Sequence, residues 1–244
     1  MYNVYQHWDP LKVMAVGVSY PPELYDYIKN ERVRKVFYQI AEETEEDYQK
    51  LIKLLHTFGV ETVRPNIDVL TERAKECIER NERIPRPHFM QPRDYSIMLG
   101  ETFYCSEHPG GPCHKDIFSL IKKQGNDTKS ANYLCKINGA MASRIGKDLV
   151  IGTESSEEGI TIDDIGLDLQ KLLPNYRINM AHTAGHTDGT FCPVVPGLIL
   201  SIAGVDYQKT FPGWEVIYMP GESWGKVNRF LALKQKNNGR AKDN

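Results

Sequence analysis

The chain has 244 residues, 25% of them charged and 41% hydrophobic, with a net charge of -2. That length can bury a sizeable core, while the near-neutral charge leaves no basic field to hold nucleic acid or an anionic membrane, so small-molecule partners are expected. No run approaches the ~20 apolar residues that span a bilayer, and Met1 to His7 lacks the charged and apolar regions of a signal peptide, which makes the cytoplasm the expected location.

Trp8-Asp9-Pro10-Leu11 leads into an apolar run, Lys12 to Val18, read as a buried strand that Ser19-Tyr20-Pro21-Pro22 ends. After a charged, tyrosine-rich stretch, Thr44 is expected to cap a helix through about Phe58, because Tyr48, Leu51, Ile52, Leu54, Leu55 and Phe58 recur at helical spacing before Gly59. Val60 to Pro65 reads as the next strand, and strand, helix, strand suggests an α/β unit. Leu70 to Arg83 reads as a charged helix. The prolines of Arg86 to Pro92 then hold an extended segment that delivers Arg93-Asp94 to a hairpin, Tyr95–Leu99 and Thr102–Tyr104, turning at Gly100-Glu101.

Five cysteines, Cys77, Cys105, Cys113, Cys135 and Cys192, are odd in number and irregular in spacing, which argues against a disulfide framework. Cys105, His108, Cys113 and His114 carry the side chains zinc prefers, yet C-x2-H-x4-C-H matches no common structural zinc pattern, and Pro109-Gly110-Gly111-Pro112 reads as a loop tip. No metal and no organic cofactor are expected. A short helix around Lys115 to Lys123 follows.

Tyr133 to Ile137 reads as a strand running into Asn138-Gly139-Ala140, and Met141–Ile145 with Leu149–Gly152 reads as a hairpin turning at Gly146-Lys147-Asp148. Ile165, Leu169, Leu172 and Leu173 mark one side of a helix starting at Thr161 or Asp163, and Tyr176 to Met180 reads as a strand. His186-Thr187-Asp188 then opens a third hairpin, Phe191–Val195 and Leu198–Ser201, joined by Pro196-Gly197. On an extended chain His186 and Asp188 point to the same face, setting an imidazole beside a carboxylate as an acid/base pair. Trp214 to Met219 reads as a strand and Trp224 to Gln235 as a helix.

A weak internal repeat emerges. Asp9 precedes Gly17, Asp94 precedes Gly100, Asn138 precedes Gly146 and Asp188 precedes Gly197; the last three heads lie 44 and 50 residues apart. Repeats of ~40 to 50 residues suit propellers, and the intervening helices make this an α/β propeller. In such a fold Asp94, Asn138, His186 and Asp188 line one cavity, whose acceptors suit a planar cation such as a guanidinium.

These residues resemble the glycine (L-arginine:glycine) amidinotransferase family of the guanidine-modifying pentein superfamily. The similarity rests on Trp8-Asp9-Pro10-Leu11, Phe58-Gly59-Val60 with Arg64-Pro65, Pro92-Arg93-Asp94, Arg144 with Gly146-Lys147-Asp148, His186-Thr187-Asp188 with Thr190-Phe191, and Pro196 to Ser201. The resemblance implies a pentein-type α/β propeller of ββαβ modules around a central active-site cavity, in one catalytic domain over residues 1–235 with a polar tail at 236–244. It implies transfer of an amidino group from arginine to an amine such as glycine, giving guanidinoacetate, through a covalent amidino-cysteine. His186 matches the general acid/base, Asp188 the carboxylate beside it, and Asp94, with Arg93, the motif that holds the guanidinium.

Three departures accompany it. Asn138 stands where the family has a carboxylate, and Ile202 to Val205 lacks the arginine that holds the substrate carboxylate. The family's nucleophilic cysteine belongs to a last blade that this sequence does not contain, so the chain alone is expected to be inactive and to need a C-terminal fragment; self-association is also expected of an open set of blades. A catalytically inactive guanidinium- or amine-binding member of the fold and an arginine deiminase-type hydrolase are the alternatives.

Overall fold

The computed structural model describes residues 1–68, 72, 75–76, 79–80, 90–94, 96–105, 115–130, 137–153, 162–183, 186–202 and 205–219. Most of the expected helix at Leu70–Arg83, most of the Cys105–His114 loop, Cys77, Cys113, Cys135, most of the strand at Tyr133 and the helix from Trp224 lie outside the described residues. Among the described residues there are four small sheets. Strand β1 (Val13–Ala15) pairs in parallel with β2 (Glu61–Val63) across helix α1 (Glu31–Thr57).

The other three sheets share one plan: an antiparallel hairpin, then a helix, then a third strand parallel to the second strand of the hairpin. Hairpin β3 (Ser96–Leu99) and β4 (Thr102–Cys105) is followed by α2 (Lys115–Lys123) and β5 (Asp127–Ser130). Next come β6 (Ala142–Ile145) and β7 (Asp148–Thr153), then α3 (Ile162–Leu172) and β8 (Arg177–His182). Last are β9 (Phe191–Val195) and β10 (Leu198–Ser201), with the single turn α4 (Tyr207–Thr210) and β11 (Glu215–Tyr218). Gly100, Gly146 and Gly197 sit at the three hairpin turns with φ of +56°, +65° and +86°, a region that glycine alone enters freely.

The sheets stack in chain order because their central strands are buried on both faces. Along β3, Ile97 and Leu99 join Leu149 and Ile151 of β7 in one cluster, whereas Met98 turns the other way to pack with Phe103 and Ile117 against Ala15 and Val63 of the first sheet. Along β7, Val150 alternates away from Leu149 and Ile151 to meet Phe191 and Ile199 of the fourth sheet. The strand period of two thus puts one cluster between each successive pair of sheets. The N-terminal segment straps three sheets together: Val4 bridges Gly100, Gln6 bridges Ile145, and Trp8 packs on Trp214 at 6.2 Å.

Two sequence expectations change, and one strand is added. Helix α1 begins at Glu31, well before Thr44, because the Asn30 side chain caps it by accepting from Val33 N–H and Glu31 pairs with Lys35 at 2.9 Å. The polar strand β5 has no apolar alternation; it forms because its backbone completes the ladder beside β4. Asp9 to Gly17 is not a hairpin: β1 runs straight to a buried Gly17, whose place for a Cβ is taken by Met90 O, and pairs with β2. Among the described residues no helix is long and apolar enough to cross a membrane.

Candidate active site

Each of the three hairpins is entered through a single 3-10 turn: Pro92–Asp94, Gly139–Met141 and Thr187–Gly189. Asn138 caps the second turn, its Oδ1 accepting from Ala140 N–H at 3.0 Å and Met141 N–H at 3.1 Å, and His186 stands at the cap position of the third. The first turn packs on the second and the second on the third. The polar heads of the repeat are thereby gathered at one end of three neighbouring sheets.

Two side chains lock the turns in place. Arg93 reaches from the first turn to the second, its Nε donating to Gly139 O at 2.6 Å and an Nη to Ala142 O at 3.0 Å. Gly139 permits this approach: a Cβ there would lie 2.5 Å from Ser96 O and 2.7 Å from Arg93 Cγ. Thr187, fully buried, ties the third turn to the second and to β7 by donating to Met141 O at 2.6 Å and accepting from Gly152 N–H at 3.0 Å.

The ionisable groups then fall into two contacts. His186 Nδ1 lies 4.0 Å from Asp94 Oδ1, and Arg93 Nε lies 3.8 Å from Asp188 Oδ2. Both are electrostatic contacts, too long for hydrogen bonds. The expected His186–Asp188 pair on one strand face is not what forms, because Thr187–Gly189 coils into a turn and the alternation of an extended chain does not apply. His186 faces Asp94 from a different sheet, and Asp188 faces Arg93. The His186 side chain is 47% exposed and that of Asp94 24%, so the imidazole is open to solvent. Asn138 is present at the site, with its carbonyl oxygen engaged by its own turn.

Sequence reasoning missed His7 and the role of Arg144 beside it. The N-terminal strap carries His7 to β6, where its Nε2 accepts from Arg144 N–H at 3.2 Å. Burial, followed by the positive fields of Arg144 and Arg93, pushes the imidazole down to about 4. Arg144 donates to Met98 O at 2.7 Å, and its own pKa is pushed down to about 10 by burial and by Arg93. Its Nε is buried with no hydrogen-bond partner among the described residues. The one hint in the sequence is that His7 directly precedes Trp8-Asp9-Pro10. Of the described thiols, Cys105 is buried in the core beneath α2 and Cys192 is exposed, its thiol on Pro193 O at 3.6 Å.

No protein-family model matches the chain, and no curated protein sequence does. Solved structures do match. An inosamine-phosphate amidinotransferase from Streptomyces griseus superposes with a TM-score of 0.60 at 19% identity, covering 89% of this chain and 75% of that one. An amidinotransferase of the saxitoxin biosynthetic pathway from Microseira wollei gives 0.61 at 17% identity over the same shares, 89% and 75%. A DDAH from Pseudomonas aeruginosa, complexed with citrulline, gives 0.51 at 12%, covering 88% of this chain and 78% of that one. The chain has the fold of these enzymes. The repeated hairpin-helix-strand plan belongs to that shared fold, and at such low identity the likeness speaks for the fold alone.

Proposed function

We propose that this protein is an amidino-group-transferring enzyme of the amidinotransferase type, with His186 as general acid and base and Asp94 and Asp188 as the carboxylates around the guanidinium. The observation that carries the reading is the convergence of His186, Asp94 and Asp188 on neighbouring head turns clamped by Arg93 and Thr187. A planar guanidinium needs acceptors from more than one direction, and carboxylates on two turns supply them. The structural likeness to two amidinotransferases supports the same reading.

In this reading a cysteine thiolate adds to the guanidinium carbon of an arginine-like donor. As the bond to the departing amine breaks, that amine takes a proton from protonated His186, and the amidino group stays on sulfur. Neutral His186 then takes a proton from the acceptor amine as its nitrogen bonds the same carbon, the C–S bond breaks, and the thiolate returns. Asp94 Oδ1 lies 4.0 Å from the imidazole that carries this proton. Arginine as donor and glycine as acceptor are the substrates to try first, and Asn138 with its engaged oxygen weakens the grip on a guanidinium relative to a carboxylate there.

In this reading the thiolate comes from a cysteine-bearing fragment added in trans. The first sheet supports this. Among the described residues β1 has one neighbour, β2, whereas its counterparts β4, β7 and β10 each have two, the missing place being that of the antiparallel hairpin strand.

The test is to incubate the chain with labelled arginine and glycine, with and without a cysteine-bearing C-terminal fragment, and to follow ornithine, guanidinoacetate and citrulline by mass spectrometry. Ornithine and guanidinoacetate formed with the fragment and lost on His186→Ala, with circular dichroism unchanged, is the expected result. Turnover that survives His186→Ala overturns the assignment of the acid/base; citrulline and ammonia as sole products make the enzyme a hydrolase; and turnover without the fragment that disappears on Cys135→Ser places the nucleophile in the chain itself.

A further inference from the structure

Helix α1 is 27 residues long, about 40 Å at ~1.5 Å per residue, and among the described residues its contacts with the rest of the chain gather on one side. Ala41 is buried and accepts from Ser19 Oγ at 2.7 Å, Glu45 pairs with Arg64 at 2.7 Å, and Tyr48 donates to Met90 O at 2.8 Å, which fixes the inward face. A second apolar stripe lies about a quarter turn away. Val33, Val36, Phe37 and Ile40 follow the i, i+3, i+4, i+7 spacing of a packing seam and are 42%, 51%, 38% and 49% exposed, with Phe37, at the edge toward the inward face, stacked on Tyr25 at 5.1 Å.

The charges on either side of this stripe are arranged in sequence order. On one flank Arg32 lies in the first turn and Glu43 three turns on, whereas Lys35 pairs with Glu31, Glu45 with Arg64 and Asp47 with Lys50 within the chain. Two such helices side by side in parallel set like charges against like. Turned antiparallel, they set Arg32 of each toward Glu43 of the other. Arg32 and Glu43 are eleven residues apart, three turns of helix, and so lie on the same flank of the stripe. A two-fold axis between Val36 and Phe37 pairs Val33 with the partner's Ile40 and Val36 with the partner's Phe37. The same axis brings Arg32 to within about one helical turn of the partner's Glu43, and the symmetry makes that contact twice. Arg32 has no ion-pair partner of its own among the described residues.

We propose that the outward stripe of α1 is a homodimer interface, in which a second copy of this chain packs antiparallel over Val33, Val36, Phe37 and Ile40 with reciprocal Arg32–Glu43 contacts. The occupant is a second copy because Arg32 and Glu43, on one flank of the stripe, are complementary to their own reverse. The seam is shorter than those of permanent dimers, so the association is a reversible one, with a Kd on the order of 10 µM. This proposal is independent of the catalytic reading, since α1 contributes none of the head turns.

Sedimentation equilibrium of the full chain from about 1 to 100 µM tests it. The expected result is a monomer–dimer equilibrium that Val36→Glu weakens at least about tenfold and Arg32→Glu about fivefold. The double reversal Arg32→Glu with Glu43→Arg restores the wild-type constant, because each reversed charge again meets its opposite. Circular dichroism of each variant verifies that the exposed substitutions leave the fold in place. A chain monomeric throughout this range, a dimer indifferent to Val36→Glu, or a double reversal no better than the single one overturns the proposal.

Discussion

Replacing Thr187 by valine removes one hydroxyl and leaves the shape of the side chain unchanged. Thr187 is fully buried, and its Oγ1 answers two backbone groups, Met141 O and Gly152 N–H, at 2.6 and 3.0 Å. Each of the two groups left without a partner costs about 1–3 kcal/mol, offset by about 1 kcal/mol for the methyl that replaces the hydroxyl, so Thr187→Val is expected to destabilise the chain by ~1–5 kcal/mol. In a chain of this size that lowers Tm by about 2–20 °C. Thr187→Ser keeps both hydrogen bonds and loses one methyl, at a cost of about 1 kcal/mol. Urea and thermal unfolding of the two variants separate the effects. If valine falls within ~0.5 kcal/mol of wild type, or serine costs more than valine, the hydroxyl does not clamp the turns and the argument from buried polar groups fails.

His7 gives a signed pH dependence. Its imidazole is held at about 4 in the fold against an ordinary 6.5, so between those values the unfolded chain binds the extra proton and stability rises with pH. The contribution is complete above pH ~6.5, is lost as pH falls toward ~4, and amounts to about 3 kcal/mol. His7→Gln, which keeps an acceptor for Arg144 N–H, should flatten this part of the stability profile in urea titrations at stepped pH; an unchanged slope would show that His7 is not the group responsible. Gly139→Ala should cost about 1–3 kcal/mol, because the new Cβ meets Ser96 O and Arg93 Cγ. A wild-type melting temperature in that variant would mean that the first and second head turns are not in close contact.

Much of the architecture was legible in the sequence because hairpins announce themselves locally. Apolar strands flanking Gly100, Gly146 and Gly197 needed nothing beyond turn chemistry and alternation, and their order with the helices at Lys115 and Asp163 was enough to read repeated α/β modules. The start of α1 was hidden for a specific reason. In its first three turns Val33, Val36 and Ile40 face outward, so no long inward stripe reveals a helix before Thr44, and the helix there rests on the Asn30 cap and the Glu31–Lys35 pair. Strand β5 was missed because an edge strand of Asp, Thr, Lys and Ser is specified by the ladder it joins.

The site divides in the same way. The residue types and their order, Asp94, then Asn138, then His186 and Asp188, are properties of the sequence, and they sufficed to place polar heads before apolar hairpins. Which head faces which was decided by tertiary structure alone. The 3-10 turn at Thr187–Gly189 cancels strand parity, so His186 meets Asp94 from another sheet while Asp188 meets Arg93, and His7 arrives at Arg144 from 137 residues away. Local rules follow from dihedral preferences and side-chain period, which each residue carries with it; pairings between sheets follow from burial and from the hydrogen bonds of Arg93 and Thr187, which exist only once the sheets have stacked.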